Sequence, residues 1–167
     1  MAWTTSEIFT SFITDKLNNA TAMNLGSDQL EVCLFDNTIT PSQTVASAST
    51  AYNAGVWTTG FQYSGTSWPQ LGRPLATVTS TFASNVYKLG AANTSSADGT
   101  CTLSGTYGCL IYDNTIATPV AKQGICFNYF GGAVTITSGT FTVAWNASGI
   151  FTLTLQFLFM RRLQNEY

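Results

Sequence analysis

Apolar and polar residues alternate with a period of two along much of the chain, the pattern of strands that bury one face. The cleanest example sets Phe141, Val143 and Trp145 against Thr140, Thr142 and Ala144, and, after Asn146-Ala147-Ser148-Gly149, sets Phe151, Leu153 and Leu155 against Thr152 and Thr154. These two runs predict a hairpin with one apolar and one threonine face. Residues 29–35 are apolar on both faces and predict a central strand. Residues 57–63, 76–82, 86–89, 106–112 and 124–130 read as further short strands, the last ended by Gly131-Gly132. Residues 41–52, 71–75 and 91–99, rich in Ser, Thr, Ala, Asn or Pro, read as surface connections. One stretch follows helical spacing instead. Ile8, Phe9, Phe12, Ile13, Leu17 and Ala20 form a single apolar stripe, and Thr4 with Glu7 three residues on matches a capping box, so a helix is predicted over residues 4–20, lying against the sheet. The predicted class is mainly β: an antiparallel β-sandwich or jelly-roll-like barrel with one short N-terminal helix.

A repeat reinforces the strand-and-turn reading. Leu34-Phe35-Asp36-Asn37-Thr38-Ile39-Thr40 before Pro41 returns as Ile111-Tyr112-Asp113-Asn114-Thr115-Ile116-Ala117-Thr118 before Pro119. In each copy an apolar run breaks at Asp-Asn-Thr, whose side chains can bond their own backbone, ahead of a proline that cannot donate to a ladder. The shared local sequence predicts the same turn-forming job for Asp36 and Asp113.

Composition narrows the chemistry. The chain has 167 residues, of which 45% are hydrophobic and 8% charged, with no histidine and a net charge of −2. A domain of this length closes a core without metals or disulfides, so residues 1–156 read as one domain. The weak negative charge gives no electrostatic reason to bind nucleic acid. The N-terminal residues carry Glu7, Asp15 and Lys16, and the longest C-terminal apolar run, 157–160, is far short of the ~20 residues of a spanning helix. The chain is therefore expected to lack a leader and a membrane anchor and to fold in a cytoplasm. There, Cys33, Cys101, Cys109 and Cys126, without C-x-x-C spacing and placed in strand-like runs, read as reduced core residues; the alternative is a disulfide from Cys101 to Cys109 or Cys126. Sequons at Asn19, Asn93 and Asn146 read as chance in a chain so rich in Ser and Thr.

Without histidine there is no Ser-His-Asp or Cys-His pair and no imidazole metal ligand. No phosphate-binding glycine loop is present, and Gly131-Gly132 lacks the strand-to-helix context of one. Asp36 and Asp113 are conceivable as a glycosidase pair or, with their oxygen-rich neighbours, as calcium ligands, but neither copy has the acidic spacing of a calcium loop. No catalytic residue, cofactor or metal site is predicted. Aromatic residues offer a binding alternative: Trp57, Phe61, Tyr63 and Trp68 lie among polar neighbours, as on a sugar-binding surface, or else they belong to the core.

A resemblance rests on residues 1–9, on residues 30–37, on Trp68-Pro69 with Gly72-Arg73-Pro74-Leu75, and above all on residues 108–113 and 127–132. Through these segments, which span nearly the whole chain, the sequence resembles small structural proteins of tailed bacteriophages, especially those of actinobacterial hosts. The resemblance implies a non-enzymatic, β-rich virion protein made in the host bacterial cytoplasm. Its expected role is capsid decoration or minor capsid protein, with the major capsid protein and sister subunits as partners and a trimer as the favoured oligomer. In that role the core, including Val32, Leu34, Leu110, Ile125, Phe127, Phe141, Val143, Trp145, Leu153 and Leu155, supplies rigidity. Ile8, Phe9, Phe12 and Ile13, with a C-terminal arm over residues 157–167 that includes Phe157, Leu158, Phe159, Met160, Arg161, Arg162 and Tyr167, supply contacts to the shell or to sister copies. The alternative is a minor tail or fibre-associated module that binds host glycans through exposed Trp57 and Trp68.

Overall fold

The structure, a computed structural model, describes residues 3–58, 62–63 and 67–156. The predicted arm over 157–167 and Phe61 lie outside the described residues. The chain is mainly β and antiparallel, with the arrangement of a β-sandwich.

The larger sheet forms around β2 (Leu30–Phe35), whose six residues are all buried, as its two-sided apolar sequence requires. On one side β2 pairs with β8 (Cys101–Asp113), which pairs with β9 (Gly124–Gly139), which pairs with β1 (Glu7–Ile8). On its other side β3 (Gln62–Tyr63) and β4 (Arg73–Pro74) share the edge, one at each end of β2. The smaller sheet has the order β11 (Phe151–Thr154), β6 (Val86–Gly90), β5 (Thr79–Ala83), and a ribbon joins β10 (Thr142–Val143) to β7 (Thr94–Ser95). The helix α1 (Thr10–Leu17) bridges the two sheets. Phe9, at its N-cap, packs on Phe127 of the larger sheet, and Phe12 packs edge-on against Phe151 of the smaller one.

Trp57 occupies the middle of the core. Its ring centroid lies 5.1 Å from that of Phe35, 5.8 Å from Phe127, 5.9 Å from Trp3 and 6.0 Å from Phe9. Trp68 is buried elsewhere, against Phe141 at 5.3 Å.

Several local predictions are corrected. The capping box does not form: Glu7 and Ile8 pair with Phe127 and Cys126, and Phe9 N–H donates to the Ile125 carbonyl, so the backbone is spent on the edge of β9. The helix accordingly starts at Thr10 with no side-chain cap and ends at Leu17, shorter than 4–20. The predicted hairpin is also absent. Residues 142–143 pair with 94–95, and 151–154 pair with 86–89, so both runs line up along the earlier 86–95 segment. The turn at Asn146 does form, with Gly149 N–H on the Asn146 carbonyl at 2.8 Å, but it is an excursion between two separate pairings. Gly131-Gly132 does not stop β9, which bends there, with Gly131 at φ +84°, and continues to Gly139. The supposed surface connection at 41–52 contains the single turn α2 (Ser47–Thr50) and ends in the core with Thr50, Ala51 and Tyr52 buried. There Thr50 Oγ1 accepts the Gly124 N–H, a partner that the sequence of residues 41–52 does not disclose.

All four cysteines are free and buried. Burial pushes each thiol up, Cys109 to about 12 and Cys33 and Cys126 well above the usual range. Thiolate is the reactive form, so alkylation of the folded chain at about pH 8 should run more than ~100-fold slower than in denaturant. Mass spectrometry after an iodoacetamide pulse should find the native chain unmodified and the unfolded chain carrying four adducts. Prompt modification of the native chain would contradict this core.

Candidate interaction surface

The apolar face of the smaller sheet is only partly covered. In register across its three strands, Phe82 lies beside Tyr87 and Tyr87 beside Leu153, and Leu155 follows Leu153 on the same face by the period of two. At the other end of this face Leu89 and Phe151 are buried, with Phe12 packed on Phe151. The end toward Phe82 extends past the helix. Between α1 and the sheet runs an open groove of about 580 Å³ lined by Phe12, Ile13, Leu17, Met23, Leu25, Tyr87 and Leu153, among others. Its surroundings are unusually apolar for free surface: Leu17 is 82% exposed, Phe82 58% and Leu155 49%. Lys16, also on the groove, turns its ammonium to the Met23 carbonyl and so tethers the 21–25 segment to α1.

Of the predicted contact residues, Phe9 and Phe12 are buried within the fold and do not offer a surface. The stripe that looked available for a partner is the stripe that closes the core. Ile8 and Ile13 are half-buried, and of the four only Phe12, itself buried, and Ile13 line the groove. The arm residues Phe157, Leu158, Phe159, Met160, Arg161, Arg162 and Tyr167 lie outside the described residues. Trp57 and Trp68 are corrected as glycan contacts, since both rings are enclosed by other core side chains. Leu155, predicted as core, is a surface residue because β11 outruns β6 at this end, its N–H reaching only Asn85 in the turn. Phe82 was not singled out by the sequence; its alternation with Thr81 was the available signal.

A second cleft, of about 390 Å³, lies between β9 and β10 and is lined by Tyr129, Phe130 and Trp145 with the amide side chains of Asn128 and Asn146. All three aromatic residues are half-buried. Trp145 is held by its indole N–H on Thr94 Oγ1 at 3.2 Å and by its backbone N–H on Asn93 Oδ1 at 3.1 Å.

Both Asp-Asn-Thr turns form as predicted. Asp36 Oδ1 accepts the Thr38 N–H at 2.8 Å and the Thr38 hydroxyl at 2.5 Å, and Asp113 Oδ1 accepts the Thr115 and Ile116 N–H groups at 2.7 and 3.3 Å. Their settings differ. Asp36 is half-exposed, while Asp113 is fully buried, and desolvation together with the neighbouring Asp28 carboxyl pushes its carboxyl up to about 6. On the opposite face, beside Asp113, Tyr112 stacks on Tyr52 at 4.9 Å, and the two hydroxyls donate to the Leu71 and Gln70 carbonyls. Burial raises both phenols, and it raises Glu31 as well, against the opposing effects of the Gln29 amide, Arg73 and Lys122. This cluster clamps the 70–71 loop onto the sheet, and its hydroxyls are spent on backbone carbonyls.

Among the described residues no helix is long and apolar enough to cross a membrane. No protein-family model matches the chain, and no curated protein or solved structure matches it either.

Proposed function

We propose that this chain is a non-enzymatic structural protein of a tailed-bacteriophage virion, a capsid decoration or minor capsid protein that binds the assembled shell and its sister copies, as a trimer. The observation that supports this reading is the open apolar face at Leu17, Phe82 and Leu155 beside the groove. Isolated apolar residues on a surface are ordinary, but several gathered around one groove mark an interaction site. On a symmetric shell, a modest contact of this kind is multiplied by copy number, so tight binding by each copy is unnecessary.

Two experiments test it. Whole-particle mass spectrometry should find the chain within a few-fold of the major capsid protein; a ratio near one in a hundred would refute a shell-wide role. Changing Leu17→Asp together with Phe82→Asp should lower occupancy on shells at least about tenfold while leaving stability within ~0.5 kcal/mol, because both side chains already face water in the isolated chain. Unchanged occupancy would remove this face from the assignment.

The second reading, a minor tail or fibre-associated module that binds glycans, is favoured by one observation: the cleft with Tyr129, Phe130 and Trp145 beside Asn128 and Asn146 combines ring surfaces with amide hydrogen-bonding groups. It replaces Trp57 and Trp68 as the place to look. Glycan-array binding that disappears in Trp145→Ala, together with low copy number, would select it over the first.

A further inference from the structure

Asp113 closes β8 with its carboxyl fully buried, and its two oxygens are treated unequally. Oδ1 takes the two backbone N–H groups of its own turn, whereas Oδ2 receives no hydrogen bond. Its charged neighbour is the half-exposed carboxyl of Asp28, which helps to push Asp113 up. Asp28 belongs to the turn after Asn24, whose N–H donates to Asp28 Oδ2. The two turns are fastened together by other bonds: Asn114 N–H donates to the Gln29 carbonyl at 2.9 Å, and Gln29 N–H donates to Thr115 Oγ1 at 2.7 Å. The framework therefore holds two carboxylates in contact that would separate if left to themselves. The nearby cations Arg73 and Lys122 act on Glu31, which pairs with Tyr112 and so lies on the other face of the sheet from Asp113, the partner of Leu30.

A buried carboxylate oxygen without a donor, set beside the half-exposed carboxylate of Asp28, calls for positive charge between the two. We propose that Asp28 and Asp113 bind a divalent, oxygen-seeking cation of the calcium class, which ties the 24–28 turn to the end of β8. Asp113 Oδ2 and the Asp28 carboxylate supply two ligands and two negative charges, matching a dication. Among the described residues no cluster of three acidic, cysteine or histidine side chains is placed to hold a metal, so backbone carbonyls and water complete the shell. A site with so few charged ligands belongs at the weak end of calcium affinities, with Kd of roughly 10⁻⁴–10⁻³ M. Without the cation a proton held between the carboxylates relieves the same repulsion, in keeping with the direction in which Asp113 is pushed. Asp36 provides an internal control: it has the same local sequence, but it is half-exposed and its Oδ1 already takes the Thr38 hydroxyl.

The test is thermal unfolding of the full chain at about pH 7.5, with calcium chloride up to about 10 mM against sodium chloride of equal ionic strength. Calcium should raise the melting temperature of the unaltered chain by several degrees. The rise should vanish in Asp113→Asn and in Asp28→Asn and persist in Asp36→Asn. An unaltered chain that melts at the same temperature in both salts overturns the site, leaving a shared proton as the solution to the carboxylate contact. A rise that survives in both Asp28→Asn and Asp113→Asn overturns it too. The measurement uses the purified chain alone, so its outcome is independent of the virion role.

Discussion

Trp57→Ala is expected to destabilise the fold by about 3–5 kcal/mol, the range for removing a large buried aromatic side chain. The position argues for the upper half of that range. Four aromatic rings, from Trp3, Phe9, Phe35 and Phe127, meet Trp57 with centroids between 5.1 and 6.0 Å, and they arrive from the N-terminal segment, the start of α1, β2 and β9. These anchors stand on separate parts of the backbone, so they cannot all move inward to fill the void, and the cavity term is added nearly in full to the lost transfer energy. Urea unfolding followed by circular dichroism would show the midpoint falling at little-changed slope. A loss below about 1 kcal/mol would mean that the ring is not enclosed, and it would return Trp57 to consideration as a glycan contact.

The second large effect belongs to the smallest side chain in the same region. A Cβ added at Gly108 would lie 2.5 Å from the Asn128 carbonyl oxygen, 2.5 Å from Trp3 Cζ3 and 2.7 Å from Trp3 Cε3. Gly108 sits in β8 opposite Phe35 on one side and Tyr129 on the other, so the backbone there is held by both neighbouring strands and has little room to yield. Trp3 must then leave its seat. That would also break the bond from its indole N–H to the Asp36 carbonyl, 2.7 Å, which fastens the N-terminal segment to the first Asp turn. Gly108→Ala should therefore cost about 3 kcal/mol, or some 6–12 °C in melting temperature for a domain of this size. Gly132→Ala is the matched control, because a Cβ there meets nothing within 4 Å; it should stay within ~0.5 kcal/mol. Equal melting temperatures for the two variants would show that Trp3 does not pack on β8 as described.

Burial was legible in the sequence wherever alternation was strong. Phe141, Val143 and Phe151 are buried and their threonine neighbours exposed, as the period of two requires. Both Asp-Asn-Thr turns were legible too, since an aspartate bonding the backbone two residues on is a local event. Partner choice was not. The 141–145 and 151–155 runs have every local mark of a hairpin, yet each pairs with the 86–95 segment, because alternation records which face is apolar and carries no label for the strand beside it. The helix start failed for a similar reason: a capping box competes with any free sheet edge that reaches the same N–H groups, and the edge of β9 won. The interaction surface was half legible. Its Leu17 belongs to the predicted stripe, but whether that leucine is covered depends on where the smaller sheet ends.

What the sequence determined by itself was therefore local: strand-rich composition, two turns closed by their own aspartates, the inward face of most strands, and cysteines suited to an apolar interior. These follow from the preferences of neighbouring residues. Tertiary structure decided which strands pair, which part of the apolar stripe stays uncovered, and how two copies of one heptapeptide diverge. Asp36 and Asp113 have the same neighbours in sequence, but only Asp113 is buried, and only it meets Asp28. The environment of a carboxylate is set by the groups that reach it through space, and the chain brings those from residues that no local pattern connects.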